Sequence, residues 1–209
     1  MLRLIDSPPA DPNEDVALDA ALFRALEAEG SPETLRFWEC RRPAVIVGAL
    51  AAISRQVHEQ TCLADNVPVL RRISGGGAVI VGPGCLNYSL VLSLDARPEL
   101  RQIERSYRLI MSRIAAALDI PGLSICGLGD LAIGELKIAG CAQRRGRRTL
   151  LHHGTVLYDF DLHWMERYLK EPERRPAYRA GRRHTAFVTN APVGPEAIRE
   201  AIARAWCHN

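Results

Sequence analysis

The chain of 209 residues has no apolar stretch long enough to cross a bilayer; its longest run, residues 43–53, falls well short of the roughly 20 residues a spanning helix needs. Its opening segment, MLRLIDSPPADPNED, holds prolines and acids where a secretory signal needs an apolar core. Neither membrane insertion nor secretion is expected. The six cysteines (Cys40, Cys62, Cys85, Cys126, Cys141 and Cys207) form no CxxC pair and no zinc-ligand spacing. A reduced, cytoplasmic setting follows. An excess of positive charge is also missing: 27 basic against 24 acidic residues leave +3, which argues against a dedicated nucleic-acid binder. Any electropositive function must be local. There is no internal repeat and no low-complexity segment. With 47% hydrophobic and 24% charged residues, what remains is the composition of one compact domain, expected to span residues 1–209.

Capping residues at positions 11–15 precede Leu18, Leu22 and Leu26 at helical spacing, and Gly30 stops the pattern. Two β-rich runs, residues 34–38 and 44–48, follow as neighbouring strands across Arg41-Arg42-Pro43. Residues 52–64 read as helix, then 67–72 and 75–81 as strand, glycine turn, strand. Residues 87–94 form another strand. The longest helix covers 98–119, where Leu100, Ile103, Tyr107, Ile110, Met111, Ile114 and Leu118 keep a 3.6-residue period until Pro121 and Gly122. Residues 131–133 and 137–142 suggest a hairpin around Gly134-Glu135. A strand over 150–158 and helices near Trp164 and over 195–206 complete the chain. Strands outnumber helices and arrive as hairpins, so the fold class is α+β, with mixed and largely antiparallel sheets packed with helices.

Three stretches carry chemistry. In Arg71-Arg72-Ile73-Ser74-Gly75-Gly76-Gly77-Ala78-Val79, successive glycines expose backbone N–H groups beside guanidinium charge, a candidate anion cradle. A plain turn with solvated arginines fits the same residues. No Gly-Lys-Ser/Thr follows, so it is not a P-loop. In the second stretch, residues 129–145, Lys137 sits inside an apolar β-like segment; by spacing alone an edge-strand lysine facing water is the commoner arrangement. The third stretch, residues 151–157, places His152 and His153 on a strand, where alternate side chains face opposite ways and adjacent histidines do not chelate one metal.

Together, RRISGGGAV, GDLAIGELKIAGCAQ and LHHGTVL resemble the motifs of the lipoate-protein ligase family, within the wider biotin and lipoate ligase and octanoyltransferase group. Weaker likeness runs through FWECRRPAVIVG and YLKEPERRPAYRAGRRHTAFVTN, so the resemblance spans nearly the whole chain. It implies a catalytic domain like that of the biotin and lipoate ligases. It also implies two-step acyl transfer: ATP, with Mg²⁺, activates lipoate as lipoyl-AMP, and a lysine of a lipoyl carrier domain or glycine-cleavage H-like protein then attacks it. Carried over residue by residue, the resemblance makes Lys137 the catalytic electrostatic clamp between acyl carbonyl and phosphate. Arg72, Gly76, Gly77, Ala78, Val79 and Ile80, with Lys137, would hold ATP and adenylate. Gly75, Gly76, Lys137, Gly140, His153 and Gly154 would hold lipoate, with Val79, Ala139 and Leu157 as walls for the acyl chain. Asp130 is the candidate Mg²⁺ ligand. The arginine clusters (Arg144, Arg145, Arg147 and Arg148; Arg174, Arg175, Arg179, Arg182 and Arg183) suit an acidic carrier.

The chain departs from the family in three ways. The small C-terminal domain of full-length ligases is missing, so a separate accessory chain is expected to complete adenylation. Ala49, Leu50, Ala51 and Ala52 stand where polar or basic groups are usual. Val81-Gly82-Pro83-Gly84 replaces a His-Asp pair. Two rivals remain open: an octanoyltransferase working through a cysteine thioester without ATP, with Cys126 or Cys141 as nucleophile, and a non-catalytic lipoate- or carrier-binding module.

Overall fold

The computed structural model describes residues 2–8, 11–172 and 175–207. With strands numbered in chain order, the large sheet runs β1 (Arg3–Asp6), β2 (Thr34–Trp38), β6 (Cys85–Ser93), β10 (Thr149–Leu157), β9 (Leu136–Arg145), β8 (Asp130–Ile133) and β7 (Leu123–Cys126). All its pairs are antiparallel except β1 with β2. A small sheet holds β3 (Ala44–Val47) between β4 (Val69–Arg71), parallel to it, and β5 (Ala78–Val81), antiparallel. The expected α+β architecture with largely antiparallel sheets is what forms.

The expectation that residues 34–38 and 44–48 would be neighbours is corrected. β2 pairs with β1 and β6, while β3 is the centre of the other sheet. Both strands are buried along their whole length, so each needs cover on two faces. Splitting them between two sheets supplies it. For the same reason the glycine turn after β4 closes no hairpin; β4 and β5 lie on either side of β3.

Helix α1 (Pro12–Glu29) starts where Asp11 accepts a hydrogen bond from the Asn13 amide at 2.8 Å, and ends at Gly30 with φ 66°. Its buried face departs from the leucine stripe in the first half of the helix. Leu18 is 37% exposed, and Asp15, Asp19, Phe23 and Leu26 are buried. The carboxylates turn inward because Arg36 of β2 meets both: its guanidinium bonds Asp15, and reaches Asp19 Oδ1 at 2.8 Å.

On the opposite face of the large sheet, α4 (Ile103–Leu118) packs with α7 (Pro195–Cys207) in an apolar core. Ile110, Met111 and Ile114 of α4 and Ile198 and Ile202 of α7 are fully buried there. Strand alternation divides β6 between the two faces: Leu86, Tyr88, Leu90 and Leu92 join this core, and Asn87 and Ser89 turn away from it. The expected helix over 98–119 breaks in two. Pro98–Leu100 is a separate 3₁₀ turn, and Arg145 ties the join by donating to the carbonyl oxygens of Leu100 and Arg101. The hairpin at Gly134 forms as expected, with φ 58° at that glycine. Four short helices complete the fold: α2 (Ile53–Gln56), α3 (Glu59–Ala64), α5 (His163–Tyr168) and α6 (His184–Phe187). No helix among the described residues is long and apolar enough to cross a membrane.

Candidate active site

Cross-strand register builds the floor of the site. Arg36, Ser89, His153 and Ala142 fall in one row across β2, β6, β10 and β9, and Trp38, Asn87, Thr155 and Gly140 in the next. At the β9 end both rows finish in small residues, Ala142 and Gly140, which leaves room above them. A side chain at Gly154 would bring a Cβ within 2.7 Å of both Gly140 O and the Tyr88 hydroxyl. A cavity of about 340 Å³ lies over this floor, bounded by β5 and the glycine loop on one side and by parts of the segment before β9's neighbour Val188 on another.

The glycine loop is held from behind. Arg72 is buried, and its guanidinium donates to Ile46 O at 3.0 Å, Gly75 O at 2.8 Å, Gly77 O at 2.9 Å and Ser74 Oγ at 3.0 Å. Burial lowers its pKa to about 10, still far above neutrality. Arg71 steadies the loop beyond β3 in the same way, through the carbonyls of Gly48, Ala49 and Ala51. Gly48 has no alternative: a Cβ there would sit 2.0 Å from Gly76 O. Gly76 itself has φ +92°, in the region where side chains are strained. Gln56 Oε1 accepts the Ala78 amide at 2.5 Å, closing the loop onto α2.

Lys137 stands across the cavity. Its Nζ lies 2.7 Å from Asp130 Oδ1, with the side chain 28% exposed. Gly140 lies beneath it, where a Cβ would approach Nζ to 2.7 Å. The second oxygen of Asp130 accepts the Tyr178 hydroxyl at 2.7 Å. Asp130 thus has both oxygens engaged, and among the described residues no three His, Cys, Asp or Glu side chains group as a metal site.

The two histidines part company as strand alternation requires. His152 is fully buried under α4, between Tyr88, Tyr107 and Gln143, and burial drives its pKa down to about 3. His153 faces the cavity. The ionised Asp19 carboxylate can only accept, so His153 Nδ1–H donates to Asp19 Oδ2 at 3.3 Å, and in that neutral tautomer Nε2 accepts from the Ser74 hydroxyl at 2.6 Å. Asp19 also accepts from Ser89 at 2.6 Å. Burial pushes Asp19 up, but its contacts with His153, Arg36 and Ser89 outweigh that and keep it below the usual carboxylate range. Asp15, with burial dominant, is raised.

The cavity therefore gathers Arg72, Gly76, Gly77, Ala78, Val79, Ile80, Lys137, Gly140, His153 and Gly154, together with Asp130 and Cys141 and the apolar walls Val79, Ala139 and Leu157. Gly75 lies outside the lining, its carbonyl turned to Arg72. Cys126 also lies outside, at the end of β7 with Sγ 3.7 Å from Ser124 Oγ. Cys141 donates its thiol to Gly129 O at 3.0 Å, and burial with the nearby Asp130 charge pushes its pKa up to about 12. The arginine clusters are not uniformly outward: Arg145 is bound to the α4 approach and Arg179 is buried, whereas Arg144, Arg147, Arg148, Arg175 and Arg183 are exposed. Arg174 lies outside the described residues. Asp19, Ser89, Gln56 and Tyr178 join the site without having been singled out from the sequence. The one signal available for Asp19 was its four-residue spacing from Asp15, on the face shared with Phe23 and Leu26.

Residues 11–202 match the lipoyl protein ligase A/B catalytic domain. The chain belongs to that family. Over 162 residues it is 30% identical to Lipoate–protein ligase 1 of Staphylococcus aureus, a match covering 77% of this chain and 47% of that protein. Over 189 residues it is 25% identical to the octanoyltransferase LipM of Clostridioides difficile, covering 80% of this chain and 69% of that one. The chain thus spans about half the length of the staphylococcal ligase. A structure from the Thermoplasma acidophilum lipoylation system, a bi-partite lipoate protein ligase and its E2 lipoyl domain, superposes with a TM-score of 0.82 at 26% identity, covering 99% of this chain and 82% of that one. A lipoate-protein ligase A structure bound with ATP superposes with a TM-score of 0.79 at 25% identity, covering 99% and 84%.

Proposed function

We propose that this member of the lipoate ligase and octanoyltransferase family is an ATP-dependent lipoate-protein ligase. It activates lipoate, or octanoate, as the acyl adenylate and passes the acyl group to a lysine of a lipoyl carrier domain. The observation that carries the reading is Lys137 facing the glycine loop across one cavity, with the cavity's cysteine held as a protonated thiol.

The residues fit ATP. Backbone N–H groups around Gly76 and Gly77, on a loop that Arg72 fixes from behind, offer donors to phosphate oxygens. Lys137 would orient the acyl carboxylate against the α-phosphate and stabilise the charge that develops at both carbonyl and phosphate. It acts by position and charge and forms no bond. The walls Val79, Ala139 and Leu157 suit an eight-carbon chain. Mg²⁺ fits as an ion carried by the nucleotide phosphates; Asp130 is its candidate protein ligand once it parts from Lys137. The exposed arginines suit an acidic carrier surface. The bi-partite description of the Thermoplasma ligase supports a second chain in adenylation.

The cysteine-dependent octanoyltransferase is the second reading, supported by the LipM relative. It is disfavoured because the attacking species must be a thiolate. Cys141 is pushed far the other way, and Cys126 stands outside the cavity. The test is incubation of the pure protein with lipoate, ATP and Mg²⁺, and separately with an octanoyl thioester of acyl carrier protein, each followed by mass spectrometry. Lipoyl-AMP is the expected product; its absence, with an octanoyl adduct on either cysteine, overturns the ligase reading. Carrier binding with neither product would indicate a non-catalytic module.

A further inference from the structure

Residues 176–188 supply part of the cavity lining and cross Lys137 at their far end through one backbone contact. The amide of Thr189, just beyond them, donates to Lys137 O at 2.9 Å, and Val188 bridges Lys137 in parallel. At the other end, Tyr178 donates its hydroxyl to Asp130 Oδ2, the free oxygen of the carboxylate whose Oδ1 holds Lys137 Nζ. Burial and the Asp130 charge keep the phenol protonated far above neutrality, so it is a permanent donor.

The crossing segment is braced internally. Tyr178 packs on Phe187 with ring centroids 5.0 Å apart, and Arg179 and Arg182 lie over the same ring at 5.1 and 5.4 Å. Arg179 also reaches Glu171 at 2.7 Å, and Arg182 donates to Tyr178 O at 2.8 Å. The hydroxyl is therefore delivered at a fixed point rather than by a loose loop.

We infer that Tyr178 is a positioning residue: by occupying Asp130 Oδ2, it fixes the carboxylate that aims Lys137, and so ties the crossing segment to the lysine's readiness for acyl activation. In its mechanistic half this rests on the ligase reading. A carboxylate with one oxygen committed to a neutral donor has a single geometry left for the ammonium. When Lys137 moves to substrate, the hydroxyl keeps Asp130 partnered, which lowers the cost of releasing the lysine.

Lys137 and Lys170 are the only lysines in the chain, which makes the test internal. Lys170 donates to Ser54 O at 2.7 Å, away from Asp130, and serves as the reference. Brief acetylation with an N-hydroxysuccinimide ester, read by peptide mass spectrometry, gives the ratio of the two modification rates. In Tyr178→Phe, which keeps the ring against Phe187, Asp130 is left to Lys137 alone, so Lys137 should react about tenfold slower relative to Lys170. Adenylate formation should lose about tenfold in kcat with KM for lipoate within about twofold. An unchanged labelling ratio overturns the inference whatever the kinetics. An altered ratio with unchanged kcat also overturns it, since Tyr178 would then steady the segment without aiding the reaction. The labelling arm needs no turnover, so it reads Tyr178 even in a protein that makes no adenylate, where the ligase reading alone would fail.

Discussion

The two faces of the large sheet are built from the same strands and obey opposite rules. Toward α4 and α7, every second residue of β6 is a large apolar side chain in a closed core. Toward α1 and the small sheet, the alternate residues are Asn87 and Ser89, and the neighbouring strands add Arg36 and His153. His152 and His153, one peptide bond apart, mark the divide: the first is kept neutral by burial, the second is wired to Asp19 and Ser74. A sheet can thus carry its stability on one side and its chemistry on the other, because a single residue step reverses direction.

Lys137→Ala strikes the chemical face directly. Adenylate formation, followed by pyrophosphate release, should fall by at least ~10²–10³-fold, the cost of deleting one preorganised charge-stabilising group, while the melting temperature stays close to the parent's. Unchanged turnover would remove this lysine from the mechanism. Ile114→Ala addresses the other face. It should cost ~2–5 kcal/mol of stability in denaturant titration, since the fully buried side chain leaves a cavity, yet retain activity where the protein is still folded. A large activity loss at full folding would mean the two faces are not separable.

The same buried face can be probed with acid. His152 is neutral in the folded chain down to about pH 3, whereas an unfolded histidine takes its proton near 6.5. Below about pH 6.5 the unfolded state therefore binds more protons, and stability should fall by up to ~1.4 kcal/mol per pH unit as pH drops from there toward 3. His152→Gln, measured by urea unfolding between pH 4 and 7, should flatten that slope below about pH 6.5. A slope identical to the parent's would show that other groups carry the acid dependence.

Much of this was legible in the sequence. The 3.6-residue period of α4, the turn at Gly134 and the glycine triplet each depend on interactions local to the chain, and local chemistry is what spacing reports. Lys137 could be singled out because it interrupts an apolar strand. What stayed hidden was long-range. Asp15 and Asp19 look like the solvent side of a helix until Arg36, arriving on β2, pulls them inward. The split of β2 and β3 between sheets depends on which faces need cover, a property of the assembled layers. Tyr178 sits in an arginine-rich stretch with no period of its own, and only its contact with Asp130 gives it meaning.

The floor of the cavity joins residues 38, 87, 155 and 140 edge to edge, from four strands in the spatial order β2, β6, β10, β9. Pairings of such wide sequence separation form late, because long loops must close before any contact rewards them. The site is consequently a product of complete folding: a fragment ending before β9 would have the glycine loop and no reaction chamber. During synthesis the floor can close only after β10, Thr149–Leu157, has been made, well after the glycine loop that faces it.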